Sequence, residues 1–146
     1  MGEINQRCLG YLSRREHSAG ELLEKLSRLG FDPDDVNKVL TGLKAQGMQS
    51  DERFTEAYVH HRSEKGYGPV RIIRELSDRG IDNSLVDRYL DPQDDGWLTR
   101  ARRVREKRFG AELPKEYKEK ARQSRFLQYR GFTHDQIRYS LRDEGS

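Results

Sequence analysis

The sequence predicts an all-α fold: three tandem three-helix repeats forming an elongated, curved, solenoid-like arc. Three observations carry this. The chain repeats itself at offsets of 50 and 51 residues, where "LSRLGF" (26–31), "LSDRGI" (76–81) and "LQYRGF" (127–132) align. Val36, Val86 and Ile137 keep the same register, as do Leu40, Leu90 and Leu141. No run of alternating Val, Ile, Thr or aromatic residues suggests a strand. The supply of core is also thin, with 36% charged against 33% hydrophobic residues and a mean hydropathy of -1.05. Small cores in a row suit that composition better than one large globule.

The first repeat, 1–48, opens with a helix containing "RCLGYL". Ser18 begins "SAGELL", a Ser-x-x-Glu capping box that starts the second helix. Gly30 ends it as the left-handed C′ residue, placing Leu26 at C3 and Phe31 at C″ of a Schellman turn. Asp32 is then the N-cap of the third helix and Pro33 its N1 residue. The breaker "GMQSD" (47–51) leads into the second repeat, 49–93. Its first helix contains "RFTEAYVHHR", with His61 read as packed on the stripe of Phe54, Ala57 and Tyr58. Gly68 falls in register with Ser18, so Gly68-Pro69 reads as N-cap and N1. Leu76, Gly80, Ile81 and Asp82 repeat the turn. After "DPQDDG" (91–96) comes the third repeat, 94–146, with "WLTRARRVREKRF" as its first helix. Trp97, Ala101 and Val104 form that helix's apolar stripe, and Leu127, Gly131 and Phe132 form the last turn. Thr133 and Gln136 make its second capping box.

Several kinds of chemistry are excluded. Gly66-Tyr67-Gly68 resembles a phosphate loop only superficially. Such a loop needs Lys-Ser/Thr after the glycines or a strand before them, and neither is present. Cys8 stands alone, so there is no internal disulfide and no metal-ligand spacing. His60 and His61 diverge by about 100° on a helix and do not share a metal. The carboxylates sit at helix starts or beside Lys and Arg, as on solvated faces. The expectation is a non-enzyme without cofactor or metal, monomeric and cytoplasmic, with no membrane span or signal segment.

Charge is unevenly placed. Residues 1–50 carry 7 basic and 7 acidic groups, and residues 51–95 carry 7 and 11. Residues 96–130 carry 12 and 4, a net +8, and residues 131–146 carry 2 and 3. The total of +3 therefore hides a strongly basic segment, which points to an anionic partner. Arg100, Arg103 and Lys107 form one basic stripe at i, i+3, i+7, while Arg102 and Glu106 are spaced to pair with each other. Lys115, Lys118, Arg122 and Arg125 line one side of the next helix, and Arg71 and Arg74 point away from Ile72, Ile73 and Leu76.

The stretch "SDERFTEAYVHHRSEKGYGPVRIIRELSDRGI" closely resembles the middle repeat of the RecX family, regulators of the RecA recombinase. The best-matching positions are Asp51, Arg53, Phe54, Lys65, Gly66, Tyr67, Gly68, Pro69, Ile72, Glu75, Leu76 and Gly80. "YLSRREHSAGELLEKLSRLGF" before it fits too, as do "RVREKRFGAELP" and "RFLQYRGFTHDQI" after it. Gln49 and Ser50 depart from the pattern, standing where the family often has an apolar residue and then Asp or Asn. The resemblance implies a protein that binds the RecA filament on single-stranded DNA, lies in its helical groove, and inhibits ATPase, strand exchange and filament extension. With the basic stripes, the expected contact residues are Lys65, Tyr67, Arg71, Arg74, Arg100, Arg103, Lys107, Lys118 and Arg122. Composition and spacing alone leave two other readings open: nonspecific binding to single- or double-stranded DNA, and a protein-interaction solenoid with another partner. No helix start offers the Asn, Gln and Arg cluster of base-specific readout.

Overall fold

The computed structural model describes residues 1–143, so the last residues of the third predicted repeat, 144–146, lie outside it. Among the described residues the fold is all-α: α1 (Gly2–Arg14), α2 (Ala19–Arg28), α3 (Pro33–Ala45), α4 (Asp51–Glu64), α5 (Pro69–Asp78), α6 (Asn83–Tyr89), α7 (Gly96–Phe109), α8 (Tyr117–Arg130) and α9 (His134–Ser140). The chain forms two compact units, Met1–Tyr58 with Leu76–Tyr89, and Val59–Glu75 with Leu90–Ser146.

The predicted punctuation is present. Gly30, Gly80 and Gly131 have φ of 96°, 80° and 100°, where a side chain would be strained. The Schellman bonds follow: Phe31, Ile81 and Phe132 donate their N–H groups to the carbonyls of Leu26, Leu76 and Leu127 at 3.2, 3.1 and 3.2 Å. Ser18 with Glu21, and Thr133 with Gln136, close capping boxes, and Asp32 caps α3 ahead of Pro33. Gly66 (φ 91°) ends α4, and the Gly68 carbonyl accepts the first helical bond of α5 from Ile72. The glycine pair is helix punctuation.

In the first unit, Ile4 and Cys8 of α1, Leu22 and Leu26 of α2, and Val36, Leu40 and Leu43 of α3 form one buried cluster. Successive members on each helix lie three or four residues apart, so one face of every helix is spent on the core. Burying each Leu, Ile or Val contributes about 1.5–3 kcal/mol. Gln49 and Ser50, the departures from the family pattern, both have structural work. Ser50 Oγ accepts the Arg53 N–H at 3.1 Å as a cap for α4, and buried Gln49 donates to the His17 carbonyl and to Asp51.

In the second unit, α7 packs against α9 and α8. Trp97, Ala101, Leu127, Phe132 and Ile137 are buried. Two sequence expectations need correction. His61 is exposed: α4 buries Phe54, Thr55 and Ser63 instead, a stripe rotated away from His61 and Ala57. On α7 the buried stripe continues from Trp97 and Ala101 to Arg105, four residues apart, leaving Val104 only half-buried. Arg105 is 1% exposed because α9 supplies a carbonyl for it: its Nε donates to Ser140 O at 2.7 Å. Burial pulls its pKa below the ordinary value. Arg102, spaced to pair with Glu106, donates to the carbonyls of Tyr139 and Arg142.

Candidate anion-binding cleft

The site in the second unit is organised by the end of α4. A helix C-terminus presents unsatisfied carbonyls and a partial negative charge, which attract cations. Two arginines answer this. Arg100 of α7 donates to Ser63 O at 3.3 Å, and Arg130 of α8 donates to Lys65 O at 3.1 Å. Between them lies a cleft of about 370 Å³. The 100, 103, 104, 107 face of α7 and the 126 and 130 positions of α8 line it, together with Arg108 and residues 63–66. Six basic side chains (Lys65, Arg100, Arg103, Lys107, Arg108 and Arg130) face one carboxylate, Glu64. Glu64 pairs with Arg100 at 3.2 Å, but it is 56% exposed, so water screens the pair.

An aromatic scaffold holds the guanidinium groups in place. Phe109 and Phe126 meet edge to face at 5.3 Å, and Arg108 and Arg130 lie over Phe126 at 5.3 and 5.0 Å. Arg130 also lies 4.8 Å from the Tyr67 ring, which Arg62 and Arg71 approach at 3.8 and 4.5 Å. Arg62 and Arg71 both bind Glu75. Tyr67 thus positions three cations through cation–π contact. Burial alone would lower the Arg71 pKa, but its interactions with the Glu75 and Tyr129 side chains raise it overall.

The structure brings four of the sequence-predicted residues together: Lys65, Arg100, Arg103 and Lys107 line the cleft. Tyr67 stands behind it through Arg130, and Arg71 is engaged with Glu75 and Tyr129. Arg74 and Lys118 are exposed and outside the cleft lining. Arg122 pairs with Glu119 and lies over Phe109 at 4.9 Å, so its charge is partly spent. Sequence reasoning missed Arg108, Phe126 and Arg130. Arg130 carried one signal, since Arg79 occupies its register in the preceding repeat. Among the described residues no group of His, Cys, Asp and Glu could hold a metal ion.

Models of the RecX first, second and third three-helix domains match residues 6–43, 50–90 and 94–141. A "Regulatory protein RecX" from Halorhodospira halophila is 46% identical over 92% of this chain and 84% of its own length. The chain belongs to the RecX family. A RecX regulatory protein from Legionella pneumophila is 43% identical over 89% of this chain and 87% of its own. Two crystal structures share the fold. One is RecX from Lactobacillus salivarius, with TM-score 0.77 and 23% identity over 96% of this chain and 93% of that one. The other is a regulatory protein RecX, with TM-score 0.82 and 22% identity over 98% and 73%. RecX is a family of regulatory proteins rather than enzymes, and no helix among the described residues is long and apolar enough to cross a membrane. In RecX terms the cleft takes Ser63 to Gly66 from the second-domain match and its other lining residues from the third.

Proposed function

We propose that this RecX-family protein binds the RecA filament assembled on single-stranded DNA and inhibits its ATPase, strand exchange and extension. The reading rests on family membership, and the cleft is the observation that gives it a physical contact. A protein that regulates by contact needs an exposed surface complementary to its target, and a nucleoprotein filament offers anionic phosphates and acidic side chains. Lys65, Arg103 and Lys107 supply that complement, with Arg74 and Lys118 as further exposed cations on the filament-facing surface. Tyr67 and Arg71 support the contact from behind. Occupying the helical groove opposes the subunit rearrangements that hydrolysis and extension require.

The test is RecA ATPase on single-stranded DNA with this protein added below RecA stoichiometry. Inhibition well beyond one RecA per added molecule is expected. An unchanged rate at equimolar protein removes the reading. Direct binding to bare DNA as the main activity would instead appear as inhibition that vanishes when DNA is in excess.

A further inference from the structure

We propose that the cleft at the end of α4 holds a nucleotide unit of single-stranded DNA, and that Glu64 is a built-in competitor for its phosphate. This rests on the filament-binding reading but assigns the occupant of one site: the strand, not RecA.

Two of the cleft's cations are already engaged by backbone carbonyls. Arg100 and Arg130 are drawn onto the carbonyls of Ser63 and Lys65, so they neutralise the helix end and hold the walls. Lys65, Arg103 and Lys107 line the same space and make no ion pair with the described carboxylates. Surplus positive charge converging on a concave space requires an anion whose charge can be reached from several sides. A tetrahedral phosphate accepts from several directions, and arginine forks and lysine ammoniums both suit it. The cleft is also not uniformly polar, because Val104 and Phe126 form part of its lining. A nucleotide matches both halves, with its phosphate on the cations and its sugar and base edge on the apolar side chains. A duplex turns its bases inward and leaves the apolar part unused, whereas a single strand splays them. The volume of about 370 Å³ suits a ligand of that size.

Glu64 completes the device. Among the described residues it is the one carboxylate in the lining, and it bonds Arg100 at 3.2 Å across an exposed edge. An arriving phosphate competes with it for Arg100. Its removal should therefore strengthen binding, an outcome that a merely solvated acidic residue far from the site would not give.

The experiment titrates the full chain against a short fluorescein-labelled oligothymidylate and a blunt duplex of equal length, by anisotropy across a salt series. Glu64→Gln should tighten strand binding by about two- to fivefold, the yield of an exposed ion pair. Arg103→Glu with Lys107→Glu should weaken it by about tenfold or more and flatten the salt slope by roughly 0.7 per lost phosphate contact. The duplex should bind less tightly than the strand. Parent that does not bind the strand, or either variant binding like the parent, overturns the inference. So does polyglutamate competing as well as unlabelled strand, which would assign the cleft to an acidic polypeptide. Circular dichroism melts confirm that the variants fold. RecA ATPase, run in parallel, separates the two proposals. Parent that fails to inhibit sinks the filament reading but leaves the strand result intact, while lost inhibition with unchanged strand binding hands the cleft to RecA.

Discussion

The two units contain the same joint built with different chemistry. In the first, the start of α2 meets the end of α5: Ser18 Oγ donates to the Arg79 carbonyl at 2.8 Å. In the second, the start of α5 meets the end of α8: the Gly68 N–H donates to the Arg130 carbonyl at 2.8 Å, and Val70 N–H to Gly131 O at 2.9 Å. Ser18 and Gly68 are in register, as are Arg79 and Arg130. A side chain makes the first bond and the bare backbone makes the second. The charges around them differ as well. Glu21 lies near Arg15 and Arg79 in the first joint, while Arg71 takes its register in the second. The repeat thus keeps a packing geometry and changes its electrostatics, and the cationic cleft lies in the unit whose joint is cationic.

The two joints differ most in what their glycines tolerate. A Cβ on Gly131 would lie 2.3 Å from Arg71 Cβ and 2.7 Å from its backbone nitrogen, on top of the positive φ. At Gly80 the nearest atom is 3.5 Å away, so only the conformation is strained. Gly131→Ala should cost about 3 kcal/mol or more in urea unfolding, against about 1–2 for Gly80→Ala. Equal losses would show that the second joint yields to a methyl group and is not the tighter of the two.

Ser18→Ala comes next. Ser18 is 0% exposed, and its oxygen both accepts from Glu21 N–H at 3.0 Å and donates to Arg79 O. Losing the cap and leaving that carbonyl short of a donor should cost about 2 kcal/mol. Ser18→Gly, which imitates the second joint, should not recover it, because the oxygen is what does the bonding. Full recovery would mean that backbone geometry alone makes both joints.

The turns and caps were legible in the sequence because their chemistry is local: a glycine, a Ser-x-x-Glu and a Pro at N1 each act within a few residues. Half of the cleft was legible too, since Arg100, Arg103 and Lys107 share one face of α7 by helical spacing alone. The remainder was not. Phe126 and Arg130 reach the cleft only because Gly68 and Gly131 allow two backbones to touch, and Arg105 is buried only because α9 brings up the Ser140 carbonyl. His61 was misread because Thr55 and Ser63, polar by type, occupy the buried stripe.

Acid separates the two units further. His17 is 3% exposed beside Tyr11, with Nδ1 placed to donate to the Arg15 carbonyl at 3.1 Å and Nε2 to accept from Lys25 at 3.2 Å. Only the neutral ring satisfies both. Burial, reinforced by Arg15 and Lys25 and opposed by Glu21 and the Arg15 carbonyl bond, holds its pKa below 6.5. The unfolded ring therefore binds a proton first. Stability is full above pH 6.5 and is lost as pH falls through the folded value. Tyr67 stands in this register in the second unit. A stability profile between pH 7 and 5 should fall for the parent and flatten in His17→Gln. An equal slope in that variant would place the acid sensitivity elsewhere.

The smallest effect separates cations that hold the second unit from those that are available. Arg130 bonds the Lys65 carbonyl and lies over two rings, so Arg130→Ala removes a carbonyl's partner and two stacking contacts together. It should lower the melting temperature measurably, by about 1–2 kcal/mol of stability. Arg103 and Lys107 are exposed and make no such bond, so reversing either to Glu should leave the melt where it is. Their charges already repel their neighbours in the lining, and reversal relieves that repulsion, which offsets any loss. If the reversed variants melt slightly higher than the parent, the cleft stores positive charge that the fold does not need. A clear drop in either would instead make these side chains part of the framework, leaving Lys65 and Arg108 as the cations free to meet an anion.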